Sequence, residues 1–102
     1  MAAQEADAVG LIAVCKARPG LEDATREVLL LTVPWASAKP GCLQYVLHVD
    51  RKNPAEFVFF EVWADQAALD EHWATPEFKV LVAKLDALLI ERATVSLLQK
   101  IG

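Results

Sequence analysis

Nowhere does this sequence run for about eighteen residues without a Lys, Arg, Asp or Glu, so no segment reads as a membrane-spanning helix. Nor does it open like a secreted chain: Met1 to Gly10 carry Glu5 and Asp7 and no positive side chain, the reverse of a secretory start. Cysteine is scarce. Cys15 and Cys42 are too few for a disulfide framework and lie in apolar, strand-like runs, so buried, reduced thiols in a cytoplasmic protein are expected. CxxC and HExxH are both absent, and His48 and His72 are isolated, which leaves no metal site. All four glycines are isolated too, so no loop is built to cradle a phosphate. Positive charge is the minority: 10 Lys and Arg face 14 Asp and Glu, a net charge of −4 with no basic cluster. Phosphate-backbone binding needs a basic stripe, so a nucleic-acid partner is not expected. Repeats, linkers and low-complexity segments are missing as well.

What the chain has in surplus is apolar side chains. They make up 55% of 102 residues, against about 45–50% in an average globular protein. A domain of this size buries only about 60–70% of its unfolded surface when alone. With membrane and secretion set aside, the sink for that surplus is a second copy of the chain. The expectation is one soluble, cytoplasmic domain over residues 1–102, with residues 1–8 a flexible N-terminus.

Val9 to Arg18 reads as a strand, broken by Pro19-Gly20. Leu21, Ala24, Val28 and Leu31 then recur at helical spacing, with Glu22 and Asp23 in the first turn, where the helix dipole favours acids. Pro34 is expected to end or kink that helix, because it removes one ladder donor and crowds the preceding turn. After Pro40-Gly41, Cys42 to Asp50 reads as a second strand and Arg51 to Pro54 as a turn. Glu56 to Trp63 follows as a third strand, antiparallel to the second. Asp65 can cap a short helix bearing Leu69, His72 and Trp73 on one side. Thr75-Pro76 starts another, whose stripe of Phe78, Leu81, Val82, Leu85 and Leu89 runs to about Ile90. Ala93 to Ile101 reads as the last strand.

This order is β-α-β-β-α-β, the α+β, ferredoxin-like arrangement, with its second helical segment divided in two. Four strands make one antiparallel sheet, and the helices can cover only one of its faces. The pleat of the third strand puts Phe57, Phe59, Glu61 and Trp63 on one side and Val58, Phe60 and Val62 on the other. A sheet with one wet face should alternate; this strand does not. Sheet packed on sheet in a homodimer follows.

Several pieces of the middle of the chain stand in a telling order. Pro40-Gly41-Cys42-Leu43-x-Tyr45 leads into strand two and Asn53-Pro54 makes the turn. Phe57-Val58-Phe59-Phe60-Glu61-Val62-Trp63 is an aromatic strand ending in Glu-x-Trp. Ala68-Leu69-Asp70-x-His72 is then followed by Thr75-Pro76-x-Phe78. Together they resemble the antibiotic biosynthesis monooxygenase superfamily of dimeric α/β-barrel proteins, the group that includes quinol monooxygenases. The similarity covers about residues 9–100 and is densest in 40–80. It implies a cofactor-independent oxidation of a small aromatic substrate, a quinol or polyphenol, deprotonated in a pocket between sheet and helices. The electron-rich anion then reacts directly with dioxygen, with no flavin, haem or metal. One departure matters. Some members carry an asparagine in the first strand beside the pocket, whereas Leu11 to Cys15 offer none and Asn53, the sole asparagine, sits in a turn. That disfavours haem degradation and counts against oxygenation of the kind that uses that asparagine.

His72 shares a helix side with Leu69 and Trp73, so it faces inward, and its position matches the family's helix histidine. It is the candidate catalytic base; the competing reading is a half-buried structural histidine. Trp63, Tyr45, Glu61 and Phe59 are the candidate substrate-binding residues. Trp63 offers a wall for a flat ring, or is simply core. Tyr45 offers a hydroxyl on the Leu43/Leu47 side of strand two, or packs with that hydroxyl satisfied. Glu61, among Phe57, Phe59 and Trp63, must be paired or protonated if buried, and a structural hydrogen bond or an ion pair at the dimer seam is its plainer role. His48, on the opposite face, is structural or exposed, and Trp35 and Trp73 are cavity rim or core. Two other functions fit the same chain: an isomerase or lyase acting on a small carbonyl compound in this pocket, and a non-catalytic binding or dimerisation module.

Overall fold

The computed structural model describes residues 7–102. Within them, four strands and three helices follow the order β-α-β-β-α-α-β: β1 (Val9–Lys16), α1 (Glu22–Ser37), β2 (Cys42–Val49), β3 (Glu56–Trp63), α2 (Gln66–Ala74), α3 (Pro76–Leu88) and β4 (Thr94–Leu98). The strands form one sheet ordered β2-β3-β1-β4, antiparallel at every pairing. This is the ferredoxin-like α+β fold, with its second helical segment divided at Thr75. The expected flexible start over residues 1–8 lies, but for Asp7 and Ala8, outside the described residues.

Local chemistry explains the connections. Between β2 and β3, the Asp50 carboxylate accepts from the backbone N–H of Lys52 and of Asn53, each at 2.9 Å, and Asn53 Oδ1 accepts from Ala55 N at 3.1 Å. Side chains of this kind stand in for backbone partners in tight turns. Register then sorts the residues of β3. Phe57, Phe59, Glu61 and Trp63 are buried under the helices together with Leu11, Ala13 and Cys15 of β1 and Tyr45 of β2. Ile12, Val14, Val58, Phe60 and Val62 line the centre of the other face and are only half-buried. Val46 and Leu98 beside them are exposed, and Gln44, His48, Thr94 and Ser96 border them toward the sheet edges.

Of the two outcomes expected at Pro34, an end or a kink, the first does not occur: helix α1 runs through Pro34 to Ser37. The carbonyl that loses its ladder partner belongs to Leu30, an exposed residue where water can serve in its place. Its buried face is Thr25, Leu29, Thr32 and Ala36, so Leu31 is left 74% exposed. The polar residues can face inward because each hydroxyl donates to the carbonyl four residues earlier, Thr25 to Leu21 at 2.7 Å and Thr32 to Val28 at 3.1 Å, leaving a methyl for the core. Leu43 is the residue left over in an irregularity between Cys42 and Gln44, so Cys42, not Leu43, pairs opposite Trp63. The last strand is shorter than Ala93 to Ile101, spanning Thr94–Leu98.

Gly41 sets where α2 can lie. Its φ is +82°, and an added Cβ would fall 2.6 Å from the Ala68 Cβ. Only glycine lets the chain turn into β2 while the first turn of α2 presses this close.

Candidate functional site

Helix α2 starts where Asp65 Oδ1 accepts from Ala68 N at 2.8 Å, and its buried residues are Leu69 and His72. At its far end the Thr75 hydroxyl donates to the His72 carbonyl at 2.8 Å and accepts from Phe78 N at 3.3 Å, which caps α3. The corner between the two helices is therefore pinned at His72 itself. Below it the sheet presents Phe59, Glu61 and Trp63 from β3, with Tyr45 of β2 paired opposite Glu61.

His72 is only 2% exposed, and its ring is surrounded by aromatic rings. Trp63 stacks on it at 4.7 Å between centroids and 26° between planes. Phe78 meets it edge-on at 5.0 Å and Tyr45 at 6.2 Å, and Trp35 lies tilted at 5.4 Å. Among the buried side-chain nitrogens and oxygens of the described residues, His72 Nδ1 stands out by having no hydrogen-bond partner. Trp63 has one: its Nε1–H donates to Glu61 Oε1 at 2.9 Å. Tyr45 packs on Phe59 at 5.1 Å.

The structure thus brings His72, Trp63, Tyr45, Glu61 and Phe59 into one cluster between sheet and helices. Of the five, His72 lines a cleft of about 240 Å³, shared with Lys39, Pro40, Ala68, Glu71, Thr75 and Glu77. The other four are buried behind it. Glu61 lies under the helices and not on the open face of the sheet, so a pairing at a sheet-to-sheet seam does not hold; its partner is Trp63. His48 is exposed on the open face, with Nδ1 3.3 Å from the Val58 carbonyl. Trp35 belongs to the aromatic ring around His72, while Trp73 is half-buried against the core. Cys15 is a buried free thiol and Cys42 a half-buried one.

Lys39 escaped the sequence reading. Its Nζ sits 4.0 Å above the Trp35 ring and donates to Thr75 Oγ1 at 3.1 Å, at the mouth of the cleft. The spacing of Trp35 and Lys39, four residues apart at a helix end, was the available signal.

Burial dominates the titration of these groups. It pushes His72 down to about 4, with the nearby Lys39 charge a smaller push in the same direction, so the imidazole is neutral at pH 7. Burial raises Glu61 to about 7 against the opposing hydrogen bond from Trp63. The Tyr45 hydroxyl is pushed up by burial and then by Glu61, and Cys15 to about 11 for the same reasons. At neutral pH the cluster offers a neutral imidazole with a free nitrogen beside a carboxyl close to half-protonated. Among the described residues, no three or more His, Cys, Asp or Glu converge to hold a metal ion, and no helix is long and apolar enough to cross a membrane.

The two shifts act on stability with opposite sign. An unfolded His72 binds a proton below about 6.5 and the folded one only below about 4, so its contribution falls as pH drops through that window. A folded Glu61 keeps its proton up to about 7, against about 4.5 unfolded, so its contribution falls as pH rises through that window. Between pH 4.5 and 6.5 the two largely cancel. Urea unfolding as a function of pH should show this. Glu61→Gln should leave a stability that rises by roughly 2–3 kcal/mol from pH 4 to 6.5, and His72→Phe one that falls by a similar amount from pH 4.5 to 7. Parallel pH profiles for the two variants would contradict the burial account.

Comparison with known proteins accords with this architecture. The sequence profile of the family described as antibiotic biosynthesis monooxygenase matches residues 8–84. A Synechocystis protein, sll1783, is 40% identical over 60 residues, which are 59% of this chain and 41% of that protein, so the match spans under half of its length. Rv0793 of Mycobacterium tuberculosis, which bears the name of a monooxygenase, is 31% identical over 90 residues, 88% of each chain. Its solved structure superposes with a TM-score of 0.87 over 93% of this chain and 96% of that one, at 29% identity. SnoaB of Streptomyces nogalater, a cofactor-independent oxygenase solved as a mutant, shares the fold at a TM-score of 0.84 and 23% identity, over 95% of this chain and 96% of that one. With the profile spanning strand one to the third helix and the fold matching throughout, this chain belongs to the antibiotic biosynthesis monooxygenase family.

Proposed function

We propose that this protein is a cofactor-independent monooxygenase that oxidises a small quinol or polyphenol with dioxygen, and that it works as a homodimer. The observation that carries the reading is the buried His72 imidazole, neutral and with an unpartnered Nδ1, set in aromatic rings at the wall of an open cleft. A flat phenol fits such surroundings, and its hydroxyl supplies the hydrogen bond that Nδ1 lacks. Moving the proton to the imidazole makes a phenolate and an imidazolium side by side. Away from water each charge stabilises the other, although burial would forbid the imidazolium alone. Trp63, Tyr45, Phe59 and Glu61, expected to touch substrate, lie buried behind His72 and back the imidazole without lining the cleft.

The electron-rich anion then reduces dioxygen directly. One oxygen atom enters the ring and the other leaves as water, with all the electrons coming from the quinol, so the overall reaction needs no external reductant. SnoaB, by its description, carries out an oxygenation without a cofactor, which supports the reading by analogy of fold alone.

The open face of the sheet supports the dimer. Its apolar centre of Ile12, Val14, Val58, Phe60 and Val62 with a polar border has the make-up of a subunit interface. A typical stable interface covers about 800 Å² per partner.

Oxygen-electrode traces over a panel of quinols, with chelator-treated protein, should show uptake. His72→Phe, which fills the same space without a base, should slow it by at least about tenfold with the melting temperature little lowered. No uptake with any quinol, or an unaltered rate in the variant, would refute the assignment. Light scattering at micromolar protein should give a dimer, and Phe60→Asp a monomer or an insoluble chain; a monomeric parent protein would remove the proposed assembly.

A further inference from the structure

Lys39 has a position that ordinary surface lysines lack. Its ammonium group lies between the Trp35 ring, at 4.0 Å, and Thr75 Oγ1, at 3.1 Å, and so is fixed from an aromatic side and a polar side. Those same neighbours hold the site. Trp35 is one of the rings around His72, and the Thr75 hydroxyl also donates to the His72 carbonyl. Lys39 and His72 line one cleft, and the Lys39 charge is close enough to oppose protonation of the imidazole. A fixed cation therefore lines the same cleft as a histidine whose buried Nδ1 has no partner of its own.

We propose that Lys39 and His72 together bind the hydroxyl of a substrate that enters the cleft as a neutral phenol and ionises there, Lys39 holding the oxygen that becomes negative. This rests on the phenolic chemistry assigned above and gives that substrate class a charge requirement.

The other charged groups at the cleft decide which form of ligand enters. Glu71 of α2 and Glu77 of α3 are exposed at its rim, and Glu77 acts on Lys39 directly. Two carboxylates at the rim repel a ligand that arrives as an anion, while a neutral phenol passes them. Once inside, the hydroxyl meets two unlike groups: a neutral imidazole that can accept its proton and an ammonium that favours the anion left behind. An opposite charge within about 4–6 Å lowers the pKa of an acid by about 1–3. The step is an ionisation only: the O–H bond breaks, the electron pair stays on oxygen, and the proton passes to His72 or on to water.

The test uses 4-nitrophenol, whose anion is yellow and whose neutral form is not, so its ionisation in the bound state is read by absorbance. Bound to the unaltered protein, it should ionise at a pH about one unit below free 4-nitrophenol, a tenfold increase in its ionisation constant. Lys39→Arg should keep that shift. Lys39→Met, which retains an apolar chain over Trp35 but no charge, should abolish it; where Lys39→Met does not fold, Lys39→Gln serves instead. A purely structural Lys39 would lower the melting temperature of these variants and leave the bound titration where it was, and that result overturns the proposal. So does an unaltered protein that fails to bind the probe, or binds it without the shift. No oxygen is consumed in this assay. A protein that ionises the phenol but takes up no oxygen with quinols would therefore sink the monooxygenase reading alone, and the reverse pattern would sink the Lys39 assignment alone.

Discussion

A histidine ring removed from water and given no hydrogen bond at Nδ1 is the constraint on which the rest of this site depends. Burying a polar nitrogen without a partner costs about 1–3 kcal/mol, and the fold surrounds this one with rings instead of relieving it. The surroundings follow from ordinary local chemistry. Gly41 lets the first turn of α2 press against the start of β2, so that the helix carries Leu69 and His72 onto the sheet. Thr75 then ends that helix, begins the next, and brings Phe78 to the far edge of the imidazole. Trp63 lies between His72 and Glu61, stacked on one and hydrogen-bonded to the other. A single tryptophan thus keeps apart two titratable groups whose pKa values burial has driven in opposite senses, one acceptor held neutral and one carboxyl held partly protonated.

The second constraint is the sheet. Three helices on one side leave Ile12, Val14, Val58, Phe60 and Val62 facing outward with no cover from the chain's own described elements. The same alternation along β3 that delivers Phe59, Glu61 and Trp63 to the site delivers Val58, Phe60 and Val62 to that outer face. Site and open face are therefore two sides of one strand. A one-residue slip of β3 would exchange them, placing Glu61 on the open face and Phe60 under the helices.

Much of this was legible in the amino acids. The order of elements along the chain followed from the spacing of the apolar runs, and the β2–β3 turn and both helix caps from Asn53-Pro54, Asp65 and Thr75-Pro76, because turns and caps are decided by a few neighbouring side chains. The clustering of Tyr45, Phe59, Glu61, Trp63 and His72 followed from alternation along β3 and from resemblance. What stayed hidden depends on tertiary competition. Apolar counting chose Leu31 over Leu29 for the buried face of α1, since it could not foresee that two threonines would satisfy their hydroxyls within the helix. Pro34 read as a stop or a kink, and the helix runs on past it because the carbonyl left without a partner can face water. Leu43 read as sharing a face with Tyr45 and Leu47 because an irregularity in a ladder leaves no mark in a pattern of alternate residues. Lys39 was missed for a different reason: a lysine near a helix end is ordinary, and only folding sets it over Trp35 within the same cleft as His72.

The central claim is that His72 is a buried, neutral imidazole whose free nitrogen is meant for a substrate hydroxyl. Nitrogen-15 NMR of the histidine side chains reads this directly, because the two ring nitrogens report protonation and hydrogen bonding separately. The account predicts a His72 ring that stays neutral down to about pH 4 and whose unpartnered nitrogen changes shift when a non-oxidisable phenol is added. A His72 that titrates near the ordinary value of about 6.5, with nitrogen shifts indifferent to the phenol, would contradict it.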